Sequence, residues 1–264
     1  MNELDLAEVY RHVEENIGLF HTKRLDKLND LNLNKVLFRK NPYLFKAKHI
    51  LTAEALVKSI VDAYLSSQEE TIFGDFLEGI AVFVSGKVYG GYKPEIGSLI
   101  GIDLVFERDE NIFMVEIKSG PHWGNSSQIK KMMQNFHAAK HILQEQFPDQ
   151  EIIAINGCSY GKDAHPQKRL AEDGGYWKLC GQDFWSHISG NEQFYLEIIE
   201  PLGHQAKARN EAFDQAYARV INRFTVKFAQ DYCTPEGDID WELIVRLISE
   251  RHDKSPFLGK PLSG

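Results

Sequence analysis

The chain reads as an α/β protein, with a central mixed β-sheet flanked by helices and helical extensions at its N- and C-terminal ends. Three observations predict this. Residues 101–120 alternate and turn as an antiparallel hairpin, residues 151–156 (EIIAIN) form an apolar run of strand length, and long stretches on either side repeat apolar residues at helical spacing. Helix, hairpin, helix, strand is the order of a mixed sheet, and neither GxGxxG nor GxxxxGK(S/T) occurs to support a nucleotide-binding fold.

Taken in order, residues 1–70 read as helical. Leu6, Val9, Val13 and Ile17 make an early amphipathic stretch, Asn41-Pro42 breaks it, and Thr52 is the expected N-cap of a helix carrying Ala55, Leu56, Ile60, Ala63 and Tyr64. TIFGDFLEGIAVFVSG is expected to form a separate helix that ends before Gly90-Gly91. After the hairpin, Ser126 or Ser127 is expected to cap a long helix whose apolar face is Ile129, Met132, Met133, Phe136, Ala139, Leu143 and Phe147. The strand at 151–156 follows, then a polar loop to Gly175, a strand at YWKLCG, a helix from about His204 to Tyr232 and another from Asp240 to His252. The tail SPFLGKPLSG is expected to be loosely ordered. A single domain over 1–264 is expected, with a helical part (1–70), a core (71–200) and C-terminal helices (204–252).

A hydrophobic share of 43% over 264 residues is enough to bury a full core. No apolar run approaches the ~18 residues of a membrane span, and the acidic opening MNELDLAEVYRHVEEN is unlike a targeting peptide, so the expected location is the cytoplasm. Cys158, Cys180 and Cys233 are widely spaced and outside any CxxC pattern, which points to reduced thiols rather than a disulfide framework or a zinc knot. The net charge of -8 argues against nonspecific coating of nucleic acid while leaving room for a local basic cleft.

The hairpin carries the chemistry. A turn centred between Asp109 and Glu110 opposes Phe106 to Phe113, Leu104 to Val115 and Ile102 to Ile117 on an apolar face, and Asp103 to Glu116 on the other. Opposed Cβ atoms lie roughly 5 Å apart, a spacing that lets Asp103 and Glu116 share one divalent cation. Lys118, two residues beyond Glu116, lies on the same face. Mg²⁺ needs only one or two protein carboxylates beside phosphate oxygens, and an adjacent ammonium can orient a water and stabilise the charge of phosphodiester hydrolysis. The same layout also fits a cross-strand charge cluster on a solvated face.

Asp103 followed by Glu116-Ile117-Lys118, with a helix before and after, resembles the PD-(D/E)xK nuclease superfamily. KNPYLFKAKHI, SSQEETIFGDFLEGIA, EIKSGPHWGNSSQ, YWKLCGQDFWSHISG and IIEPLG are similar to one branch of its type II restriction endonucleases, over roughly residues 35–205. The first motif here reads Ile102-Asp103, without the superfamily's proline. The resemblance implies a restriction-endonuclease-like core and Mg²⁺-dependent cleavage of double-stranded DNA at a short sequence. It also implies a homodimer and a companion DNA methyltransferase. On it, Asp103, Glu116 and the Ile117 main-chain carbonyl would hold the metal, Lys118 would position or activate water, and Glu78 would lend a further carboxylate. Gln134 resembles a glutamine that some branches carry on the following helix. A structure-specific repair or recombination nuclease of the same superfamily is the alternative.

Candidate DNA contacts are His122, Trp123, Asn125 and Ser127, next to the hairpin, and Lys162, Lys168, Arg169 and Lys178, interleaved with aromatic residues. Helix capping by Asn125 or Ser127, and a solvated charge run at 162–178, are the plainer readings. A further alternative is a serine hydrolase. Gly157-Cys158-Ser159-Tyr160-Gly161 matches GxSxG, with Asp238 and His252 following in order, but the next residues are polar where that motif opens an apolar helix. His137 and His141 have zinc spacing without the Glu of HExxH.

Overall fold

The computed structural model describes residues 2–163 and 175–250. In chain order these form α1 (Leu6–Asn29), α2 (Leu33–Leu37), α3 (Pro42–Ala47), α4 (Ala53–Tyr89), β1 (Leu104–Arg108), β2 (Asn111–Lys118), α5 (Ser126–Gln146), β3 (Glu151–Cys158), β4 (Tyr176–Cys180), α6 (Gln182–Ser189), α7 (Phe194–Glu197), α8 (Ile199–Leu202), α9 (Ala206–Tyr232) and α10 (Trp241–Ser249). Residues 251–264 and residues 164–174, among them Lys168 and Arg169, lie outside the described residues. No helix among the described residues is long and apolar enough to cross a membrane.

The two helices expected between Ala53 and Gly86 are one 37-residue helix, α4. The polar stretch between them, SSQEET, holds neither Pro nor Gly, so nothing in it interrupts helix propagation. Thr52 caps α4 as expected, its hydroxyl accepting from the Ala55 N–H at 3.2 Å. Asn125, not Ser126 or Ser127, caps α5. Its side chain accepts from the Gln128 N–H while the Gln128 side chain accepts from the Asn125 N–H, a reciprocal pair that a serine one residue later cannot form.

The chain divides into two compact units, Met1–His21 with Glu70–Ala206 and Thr22–Glu69 with Lys207–Gly264. The second is helical. Leu28, Val36, Phe45, Ile60, Phe224, Phe228 and Ile244 belong to its core, and the Tyr232 hydroxyl donates to Asn34 Oδ1 at 2.9 Å.

The first unit is built on a four-stranded mixed sheet in the order β1-β2-β3-β4. β1 pairs antiparallel with β2, while β2–β3 and β3–β4 are parallel. Helices cover both faces. Leu77, Ile80 and Val84 of α4, with Phe184 and Trp185 of α6, share a cluster with Leu104, Phe106, Phe113 and Val115, whereas Met132, Phe136 and Leu143 of α5 share one with Val105, Met114 and Ala154. The unbroken burial of β2 from Ile112 to Ile117, on both faces, matches this sandwiching.

The expected hairpin register holds from Leu104–Val115 to Arg108–Asn111. Asp109 and Glu110 at its turn adopt positive φ (50° and 62°), as a two-residue hairpin loop requires. The register ends at Leu104, however. The Asp103 N–H donates to the Val115 carbonyl at 2.8 Å, and Ile102, turned back by a bond to Leu99, packs with Val105 and Met114 rather than with Leu104 and Phe106. Gly101 makes this turn possible. Its φ is +78°, and a Cβ there would lie 2.2 Å from Asn135 Nδ2.

His187 of α6 is a titratable group inside this unit. Its ring meets Phe106, Phe113 and Trp177 edge-on or at a tilt, Arg108 donates to its carbonyl at 2.9 Å, and its Nε2 is buried without a partner. Burial first, then the Arg108 charge, push its pKa down to about 4 from 6.5. The unfolded chain therefore takes up the proton first on acidification. Stability is complete above about pH 6.5 and falls, by about 3 kcal/mol in all, as the pH approaches 4. We expect His187→Phe to flatten this dependence in urea-unfolding curves between pH 4 and 7. An unchanged slope would refute the assignment.

Candidate active site at the end of the hairpin

Strand pleating alone puts Glu116 and Lys118 on one side of β2, and their side chains meet, Lys118 Nζ to Glu116 Oε1, at 2.6 Å. Glu116 is only 8% exposed, and its Oε2 is buried with no hydrogen-bond partner. A half-satisfied buried carboxylate is costly unless something else engages the free oxygen.

Asp103 arrives by a different route from the one its number in the hairpin implies. With the register broken at Leu104, its Oδ2 accepts from the Ile117 N–H at 2.8 Å, across the end of β2. Burial is the largest influence on this carboxyl, offset in part by the Ile117 N–H, and the charges of Glu78 and Glu116 oppose that of Lys118; together they push its pKa up to about 6. Glu78 reaches this field from α4 and is itself paired with Lys93, Nζ to Oε1 at 2.5 Å. Three acids and two lysines thus share one electrostatic site.

Among the described residues no group of three or more His, Cys, Asp or Glu side chains is arranged to hold a metal ion. Glu78 in particular is engaged by Lys93, and Asp103 by a main-chain N–H. The donor chemistry nevertheless suits a hard divalent cation, which takes oxygen ligands and needs only one or two carboxylates. The orphaned Glu116 oxygen and the destabilised Asp103 charge are the features a cation would satisfy.

The outer residues divide sharply. His122 and Ser127 are exposed beside the hairpin, as is Lys162 beyond β3. Asn125 is exposed too, but its side chain serves the α5 cap. Gln134 faces solvent on α5. Trp123 is half-buried, with its indole N–H donated to Asn156 and its ring 5.0 Å from Lys118 Nζ. Lys178, expected at DNA, is instead held inside the unit. It donates to the Pro121 carbonyl at 2.8 Å and pairs with Asp163 at 3.3 Å, leaving its side chain 11% exposed. Ser159 is buried, its Oγ directed to the Lys118 carbonyl at 3.5 Å, and the described residues after it, to Asp163, form no helix, so the geometry of a nucleophile elbow is missing.

Sequence reasoning missed Lys93 and Asn156. Lys93 follows a Gly-Gly turn with no pattern of its own, and only the path of the chain after α4 returns it to Glu78. Asn156 did carry a signal, as the polar residue that interrupts the apolar run after Glu151.

A family model for Type II restriction endonuclease EcoO109I matches residues 7–210. The chain belongs to that family. Its four-stranded mixed sheet and flanking helices make up a restriction-endonuclease-like fold. Membership makes the chain an endodeoxyribonuclease by family, with DNA as substrate. A search of curated proteins finds no match.

Proposed function

We propose that the protein cleaves double-stranded DNA at a short specific sequence with Mg²⁺ as cofactor. The observation that carries this reading is the meeting of Asp103, Glu116 and Lys118 at one end of the sheet, with a buried Glu116 oxygen left unpartnered. Asp103, Glu116 and the Ile117 carbonyl would hold the cation, with Glu78 as an additional carboxylate once released from Lys93. When bound, Mg²⁺ supplies positive charge at the phosphate and a more acidic water. Lys118 orients the attacking water and stabilises the negative charge that grows on the phosphate oxygens. Glu116 holds this ammonium in place through its Oε1 at 2.6 Å. His122, Ser127 and Lys162, exposed around the site, would contact the duplex.

A homodimer fits a duplex substrate, because two sites related by a twofold axis match two scissile phosphates in a symmetric sequence. Such an enzyme acts in the cytoplasm beside a companion DNA methyltransferase that protects host sites. Incubated with plasmid DNA and Mg²⁺, the purified protein is expected to release discrete fragments, and none with chelator. Cleavage only of branched or damaged DNA would instead favour a repair nuclease, and a uniform smear would refute sequence specificity.

A further inference from the structure

The parallel strand pairing places a second row of polar side chains beside the candidate active site. In the parallel register Glu116 is opposite Asn156, and Asn156 is opposite Lys178. Asn156 lies at the centre of an apolar strand and is 1% exposed, a position where an amide is costly unless its hydrogen bonds are made. They are made toward the segment that follows Lys118. The indole Nε1 of Trp123, which can only donate, gives its hydrogen to Asn156 Oδ1 at 3.1 Å, and Asn156 Nδ2 faces the Glu116 carbonyl at 3.4 Å. Lys178 ties the same segment two residues earlier, at the Pro121 carbonyl, and is itself braced by Asp163.

We infer that Trp123, clamped by Asn156 and Lys178, is a positioning residue that sets the Lys118 ammonium at the reacting phosphate. Lys118 hangs on a four-carbon stem with many rotamers. Glu116 restrains one side of its ammonium, and the Trp123 ring, 5.0 Å from Nζ, attracts it from another through its electron-rich face. The ring has little left to offer DNA. Its N–H is spent on Asn156, its body packs on the cluster around Met132 and Phe136, and Lys118 lies over it. The role of Lys118 rests on the nuclease reading, whereas the clamp itself does not.

Two measurements separate these. In metal-free protein without DNA, the ¹⁵N-labelled indole N–H of Trp123, identified by its loss in Trp123→Phe, should exchange slowly with solvent and should lose that protection in Asn156→Ala. Rapid exchange in the wild type overturns the clamp, whatever the protein does to DNA. In single-turnover cleavage, Trp123→Leu should lower the saturated rate about tenfold or more, while the half-saturating concentration moves by less than about twofold. Trp123→Phe, which keeps a ring face, should recover most of that loss. Asn156→Ala, which keeps the ring and loses only the bond to its N–H, should slow wild type about as little as Trp123→Phe does and add little to that variant, since both remove the same contact. A raised half-saturating concentration with the saturated rate intact, or Trp123→Phe as slow as Trp123→Leu, overturns positioning. The Trp123 pair decides the matter even where Asn156→Ala does not fold.

Discussion

Asp103→Asn is expected to lower cleavage at saturating DNA and Mg²⁺ by about a thousandfold or more. The substitution is nearly isosteric, and the amide oxygen still accepts from the Ile117 N–H that Asp103 now engages at 2.8 Å. The hairpin end therefore keeps its geometry, and what disappears is one of the negative charges that would hold the cation. A second readout is independent of turnover. Mg²⁺ should raise the Tm of the wild type, because a ligand that binds only the folded state stabilises it, and should leave the Tm of Asp103→Asn unmoved. Cleavage within about tenfold of wild type, or equal protection of both proteins by Mg²⁺, would remove Asp103 from the site.

Gly157→Val is expected to destabilise the protein by about 3 kcal/mol. Gly157 lies in β3 opposite Ile117 and Leu179, and a Cβ built on it would stand 2.4 Å from the Phe184 ring and 3.2 Å from Val115. Phe184 is fully buried, so neither ring nor strand has room to yield. Phe184→Leu, itself costing about 1–2 kcal/mol through lost packing, should recover part of the Gly157→Val loss when the two are combined. The check is the urea midpoint at constant slope. A Gly157→Val midpoint equal to wild type would show that the ring shifts freely. The glycine that begins a GxSxG match is on this account a packing residue, and its neighbour Ser159 is a buried one.

The hairpin was legible because every relation in it is local. Alternation separates Phe106 and Phe113 from Val105 and Met114, the polar turn sets the register of five residue pairs, and Glu116 and Lys118 share a side because they are two residues apart on one strand. Ile102 and Asp103 lie at the limit of that logic. Their orientation depends on a turn at Leu99–Ile102 that fits only because Gly101 meets Asn135 of α5, a residue distant in the chain. Lys178 was misread for a related cause. Basic residues near aromatics look like a DNA surface, but the partners that bury it, Asp163 and Pro121, reach it through sheet pairing and loop packing.

From the order of residues alone follow the α/β class, the hairpin with its E-x-K strand and the resemblance to a nuclease, since period and spacing act within one element. The tertiary structure decided the rest: the Asp103 carboxylate on the Ile117 N–H, the pairing of Glu78 with Lys93, and the Asn156–Trp123 contact beside Lys118. Each of these depends on where a strand stops or on which strand lies beside it. Those outcomes are settled by packing of the whole unit, where burying an apolar side chain or satisfying a buried polar atom outweighs the local preference of any one segment.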